Sequence, residues 1–134
     1  MKDGIQFRVS PDGPIAVYRQ IENHVQFAIA SGRLKAGQSL PSVRDLSDML
    51  NVNPNTVTKA IRDLELKGLL TTRRGIGVAV SDNARQRCKD TVQNMVRRHL
   101  RNGVGQCLSA GMTATQIKKL VDEAVRSNFQ PYSD

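Results

Sequence analysis

Tryptophan is absent from this sequence, and aromatic residues of any kind make up only 4% of its 134 residues. A hydrophobic fraction of 39% supplies a core, but a thin one, of the kind that oligomerisation commonly completes. No apolar run approaches the roughly 20 residues that a membrane-spanning helix needs. The N-terminal "MKDGIQFRVS" has no apolar stretch of the signal-peptide kind either. The expectation is a soluble, cytoplasmic protein. Cysteines number two, Cys88 and Cys107, far apart and outside any CxxC pattern, and histidines also number two, His24 and His99. That set is too sparse for a metal cluster, so no metal or other cofactor is expected and both thiols read as inert. Neither histidine has a nucleophile or a paired carboxylate near it in sequence, which leaves catalysis without a candidate site.

Acidic residues are also in short supply: 12 Asp and Glu face 20 Lys and Arg, a formal charge of +8. The surplus is even along the chain, with 11 basic against 7 acidic residues up to position 80 and 9 against 5 beyond it, +4 in each part. In a chain with no secretion signal, such a surplus points to a polyanionic partner, most often nucleic acid. Charge alone supports only salt-sensitive, non-specific contact. Specificity has to come from placed residues.

The first segment, Ile5 to Val9, alternates apolar and polar residues at strand period and stops at the turn cluster "SPDGP". From Ile15 to Ala30, Val17, Ile21, Val25, Ala28 and Ile29 recur at helical spacing, and "SGRLKAGQSLP" then reads as a loop. Ser42 with Asp45 resembles a capping box, with Asp in place of Glu or Gln, ahead of a short helix through Val43, Leu46, Met49 and Leu50. About three residues later a second helix begins. Asn53 suits its N-cap and Pro54 its first position, where a missing N–H costs nothing. Val57, Ala60, Ile61 and Leu64 mark its buried face, and Gly68 closes it. Two short helices joined this tightly form a helix-turn-helix candidate. "LLTT" and "GVAV" then read as strands around "RRGIG", in which Gly75 and Gly77 permit a tight turn edged by Arg73 and Arg74. A basic-tipped hairpin directly after a helix-turn-helix is the sequence form of a winged helix.

The outward positions at the front of the second helix are Asn53, Asn55, Thr56, Thr58 and Lys59. Asn presents donor and acceptor together to adenine, Thr offers a hydroxyl or a methyl, and Lys reaches a guanine edge or a phosphate. The helix front should add open backbone N–H groups for phosphate. Asn53 is equally a plain N-cap, and the two roles are compatible. Arg44, at the start of the preceding helix, lies near the expected path of a DNA backbone; its bland alternative is an ion pair with Asp48 at i+4. For Arg73 and Arg74 the alternative is a merely solubilising turn. "RRGIGV" is no nucleotide loop, since it lacks GxGxxG and a following helix.

Beyond Ser81 the pattern changes. Cys88, Val92, Met95, Val96 and Leu100 line one stripe of a helix whose other faces carry Arg85, Arg87, Lys89, Arg97, Arg98 and Arg101, and "RNGVGQCLSAGM" should interrupt it. Thr113 with Gln116 makes a second capping box, leading to a stripe of Ile117, Leu120, Val121, Ala124 and Val125. Two amphipathic helices cannot bury their own apolar faces, so they are expected to pair with a second copy through Val92, Val96, Leu100, Ile117, Leu120, Val121 and Ala124. The chain thus reads as mainly α with a small β-wing. Residues 1–80 form a winged helix-turn-helix, and 81–134 a two-helix dimerisation segment ending in the loose tail "NFQPYSD".

The stretch Ala30 to Val78, "ASGRLKAGQSLPSVRDLSDMLNVNPNTVTKAIRDLELKGLLTTRRGIGV", resembles the GntR-type transcription regulators. Their "G.L..G..LPS.R.LA..L.V" run, "TV..A...L...G" helix and "R.G.G" wing all occur here in order, and "VNPNTV", Val52 to Val57, is similar to the YtrA-like branch. The resemblance implies a bacterial winged-helix homodimer that binds double-stranded DNA at an inverted repeat, usually as a repressor, and joins the nucleoid when bound. It places Arg44, Asn53, Asn55, Thr56, Thr58, Arg74, Gly75 and Gly77 at the family's DNA-reading positions. Departures are Pro54, where many relatives carry Arg, Ser47 in place of a common Ala, and a wing that ends "GVAV" without an aromatic. The segment after the wing is short for the large ligand-binding domains of other branches, which argues against an effector pocket. The competing expectation is a winged-helix protein–protein adaptor, which would not need Arg44, Arg73, Arg74 and a polar helix front on one side.

Overall fold

The computed structural model describes residues 8–127. Five helices and one hairpin run in the order α1 (Val17–Ala30), α2 (Val43–Leu50), α3 (Pro54–Leu66), β1 (Leu70–Arg73), β2 (Gly77–Val80), α4 (Ala84–Ser109) and α5 (Ala114–Arg126). The strand expected over Ile5–Val9 falls mostly outside the described residues, and its described part, Arg8 and Val9, is in no strand. The tail from Asn128 onward also lies outside them. Two compact units divide inside α4, the first ending at Val92 and the second starting at Gln93.

The core of the first unit is built from the stripes that periodicity marks. Ile21, Val25 and Ile29 of α1 meet Val57, Ile61 and Leu64 of α3, with Leu46 of α2 beneath them. β1 and β2 pair antiparallel, Leu70 opposite Val80 and Arg73 opposite Gly77. The segment expected as plain loop before α2 adds a third backbone to this hairpin. Gly37 N–H donates to Val80 O at 2.8 Å, Val80 N–H to Gln38 O at 2.9 Å, and Leu40 N–H to Val78 O at 2.9 Å. β2 is thereby bonded on both edges.

Buried polar groups hold the first unit's outer parts. Gln20 is wholly buried and acts like a strand edge: its Oε1 accepts from Ser10 N–H at 2.7 Å, while Nε2 donates to Ser10 O at 2.9 Å and Ile15 O at 2.7 Å. Glu22, with a side chain 5% exposed, accepts from Lys67 Nζ at 3.2 Å, tying α1 to the end of α3. Burial raises the Glu22 carboxyl above its ordinary pKa against the pull of Lys67, and the neighbouring Asp63 carboxylate raises it further. A folded-state pKa above the unfolded value contributes stability that is complete below the unfolded pKa and is lost as pH rises through the folded one. Glu22→Gln does not titrate. Denaturant unfolding at several pH values should therefore show wild type gaining on the variant as pH falls through the carboxylate range. A difference independent of pH would mean that Glu22 titrates alike in both states.

The "RNGVGQCLSAGM" stretch does not interrupt the helix where it was expected to. α4 runs without a break through Gly103 and Gly105 to Ser109. Each glycine costs about 1 kcal/mol inside a helix, yet a helix already nucleated on both sides still gains a hydrogen bond per residue, so a glycine weakens it without ending it. The end comes at Gly111, whose left-handed φ of +89° lets Gly111 N–H reach Leu108 O and Met112 N–H reach Cys107 O, each at 3.0 Å. α5 starts on the expected capping box, Thr113 N–H to Gln116 Oε1 at 2.9 Å and Gln116 N–H to Thr113 Oγ1 at 3.2 Å.

Candidate nucleic-acid interface

The turn between α2 and α3 depends on an asparagine in a backbone region that non-glycine residues seldom enter. Asn51 has φ +55°, and from there Asn51 N–H donates to Asp48 O at 3.4 Å and Val52 N–H to Ser47 O at 3.1 Å. Asn tolerates this conformation better than other L-residues. Ser47 is buried, and its hydroxyl donates to the Val52 carbonyl, stitching the turn from beneath. The Ala that the resemblance leads one to expect cannot make this bond. At the head of α2, Ser42 accepts from Asp45 N–H at 3.0 Å.

α3 begins as its sequence indicates. Asn53 is the N-cap, its Oδ1 accepting from Asn55 N–H at 2.8 Å, and Pro54 is the first helical residue. Asn53 is thus a working cap, and Asn53→Ala should cost about 1 kcal/mol of stability, read as a lower denaturant midpoint. Asn53→Asp should restore it; equal losses in both variants would deny the cap its role. The open N–H groups expected at this helix front are not there. Pro54 has none, Asn55 N–H is held by Asn53, and Thr56 N–H donates to Asn53 O at 2.9 Å. Side chains are left to do the reading.

Those side chains sit as follows. Asn55 is exposed, Thr56 and Thr58 are half-buried at the edges of the apolar stripe, and Val57 between them is fully buried. Lys59 is exposed but tethered, its Nζ 3.5 Å from Asp63 and 4.5 Å from the centroid of the Tyr18 ring on α1. It is thus drawn towards α1. Arg44 is exposed in the first turn of α2 and makes no ion pair among the described residues, so the Asp48 alternative is not realised.

In the wing, Ile76 N–H donates to Arg73 O at 3.1 Å, closing a turn in which Gly75 has φ +79° and Gly77 follows at +97°. Side chains with a Cβ are strained at such angles. Arg73 lies 4.0 Å from the exposed Asp82, a contact of little energetic weight, and Arg74 makes no ion pair among the described residues. Ile76, which the sequence reading did not single out, is 63% exposed between the two glycines.

The second unit has an apolar surface of its own. Val96, Leu100, Leu120 and Val121 are 41%, 59%, 49% and 40% exposed, and Ala124 is exposed beside them. Leu108 and Val125, at 57% and 71%, extend this surface. Ile117 is buried instead, at the floor of a groove of about 620 Å³ that Val104, Leu108, Val121 and Val125 also line. Val92 is placed differently from the rest of its stripe: it packs in the first unit's core with Ala84 and Cys88. The Cys88 thiol is buried, which raises its pKa, and it lies 3.8 Å from Gln26 O.

Residues 17–80 match the bacterial regulatory proteins of the gntR family. The HTH-type transcriptional repressor YtrA of Bacillus subtilis is 30% identical over 116 residues, covering 87% of this chain and 89% of that protein. A GntR family transcriptional regulator from Listeria monocytogenes superimposes with a TM-score of 0.65 at 28% identity, covering 84% of this chain and 97% of that one. YtrA from Sulfolobus acidocaldarius, a GntR-family transcription factor, superimposes with a TM-score of 0.55 at 27% identity, covering 90% and 97%.

Proposed function

This chain belongs to the gntR family of bacterial regulatory proteins, and we propose that it acts as a homodimeric repressor on a palindromic operator. It is a DNA-binding regulator of transcription and not an enzyme. The observation that carries the base-reading role is the front of α3, where capping consumes Asn53 and the first N–H groups while Asn55 stays exposed and Thr56 and Thr58 stay half-exposed. Repression is favoured by the name of the Bacillus subtilis relative. Dimerisation is favoured by the large apolar side chains that α4 and α5 leave exposed, Val96, Leu100, Leu108, Leu120, Val121 and Val125. Residues 1–80 would read DNA and 81–134 would pair the subunits. Recognition helices of a two-fold dimer enter major grooves about one turn, ~34 Å, apart, hence the palindrome. Among the described residues no helix is long and apolar enough to cross a membrane, and the regulator would work in the cytoplasm, on the nucleoid.

Selection of bound DNA from a random pool by the purified protein tests function and symmetry together. A recovered palindrome is expected. Recovery of nothing above background would favour the adaptor. The wing has its own readout: Arg73→Ala with Arg74→Ala should lower affinity for all sequences and flatten the salt dependence by up to about two units of slope, one per lost phosphate contact. An unchanged slope would take the wing off the phosphates.

A further inference from the structure

The two ends of the β1–β2 hairpin put apolar side chains to different uses. At the inner end Leu70 and Val80 pair within the core, and Val78 packs against it. At the outer end the ladder stops at Arg73 and Gly77, and Arg74, Gly75 and Ile76 form the tip beyond it. Ile76 belongs neither to the core nor to the side chains packed on it, and it is 63% exposed. Folding therefore gains little from an apolar residue there. A lone exposed isoleucine is ordinary; the setting of this one is not. Gly75 and Gly77 flank it, and a Cβ at either would meet nothing within 4 Å beyond its chain neighbours. Their positive φ values, rather than crowding, call for glycine, and they leave a slim tip whose one apolar side chain is Ile76. Arg74, two residues before it, makes no ion pair among the described residues, so its charge is open to a phosphate.

DNA offers a slim, basic tip with an apolar point one matching place. The minor groove is about 6 Å wide, and its floor distinguishes base pairs mainly by the presence or absence of the guanine 2-amino group. Apolar side chains, isoleucine among them, serve as wedges in that groove. An alkyl group laid over the 2-amino donor displaces its water and returns no acceptor, so binding weakens. At an A·T pair no amino group protrudes, and the N3 and O2 acceptors lie recessed in the floor. We propose that Ile76 is a specificity-determining residue: entering the minor groove while Arg74 holds a phosphate at its wall, it selects base pairs that lack the 2-amino group. The proposal rests on the DNA-binding role given above to the wing and to α3.

The test uses the operator selected from the random pool, with hydroxyl-radical protection of minor-groove sugars marking the base pairs under the wing. Exchanging adenine there for 2,6-diaminopurine adds the 2-amino group and leaves the major-groove pattern as it was. Wild type should bind that operator roughly tenfold more weakly or worse, the effect of stranding one donor. A G·C pair at the same place should weaken binding likewise, and inosine in place of its guanine should restore it. Ile76→Ala, which takes nothing from the core, should lose less than about threefold on the diaminopurine operator. Ile76→Asn, which brings an acceptor to the amino group, should bind both operators alike. Guanine selected at those pairs, or an Ile76→Ala variant that discriminates as wild type does, would overturn this proposal alone. So would a wild type indifferent to the amino group in which Arg73→Ala with Arg74→Ala still flattens the salt slope, since the wing would then hold phosphate without reading bases. No minor-groove protection, an unchanged slope without discrimination, or a pool that yields no operator would overturn the wing's role in DNA binding with it.

Discussion

Leu120→Glu combined with Val125→Glu should turn the proposed dimer into a monomer and lower its affinity for a two-half-site operator by roughly 10²- to 10⁴-fold, the avidity of joined half-sites. Both side chains lie on the exposed face of α5, 49% and 71% open, so glutamate there removes nothing from either unit's interior. Surface changes of this kind usually alter stability by no more than about 0.5 kcal/mol. Between two copies the same substitutions set buried carboxylates against apolar side chains without a cation, which association does not tolerate. Sedimentation equilibrium reads the mass, and titration of operator against an isolated half-site reads the rest. The half-site should be bound as before. A double variant that remains dimeric removes α5 from the interface.

The second large effect belongs to α3. Asn55→Ala and Thr56→Ala should each weaken operator binding by about 1–3 kcal/mol, roughly 5- to 150-fold, while leaving the bulk-DNA background and the salt slope in place. The capping geometry sharpens this expectation. With Pro54 lacking an N–H, and the N–H groups of Asn55 and Thr56 both engaged by Asn53, the helix front has little main-chain affinity for phosphate to fall back on. Its hold on DNA must come from side chains that read bases. Competition of operator against non-specific duplex measures the effect, and two variants that both bind operator like wild type would refute the recognition-helix assignment.

Lys59 is a milder case. The sequence puts it on the outer front of the helix, whereas in the fold Asp63 and the face of Tyr18 hold its ammonium. A cation–π contact of this kind contributes on the order of 0.5–1 kcal/mol at an exposed site. Any DNA contact by Lys59 has to compete with it, so Lys59 should contribute less than Asn55 or Thr56.

Much of the fold is legible in the linear chain because its signals act over short distances. The Asn53 cap, Pro54 at the first helical position, the Thr113–Gln116 box and the Gly75 turn each join residues no more than four apart, and all appear as read. The apolar stripes of α1 and α3 are legible for a related reason: helical period alone decides which side chains share a face. Other features turn on partners far along the chain. The segment from Gly37 to Leu40 carries no strand pattern, yet β2, some forty residues later, offers an open edge to its backbone. Val92 and Val96 look alike in one stripe, but only Val92 lies within reach of the first unit's core. Arg85 and Arg87 look like any solvated arginines until the ends of α1 and α3 are placed beside them. Local geometry thus wrote the caps, turns and helix faces into the sequence, while the third backbone on the hairpin, the tether on Lys59 and the anchorage of α4 followed from which distant groups folding brought within hydrogen-bond reach.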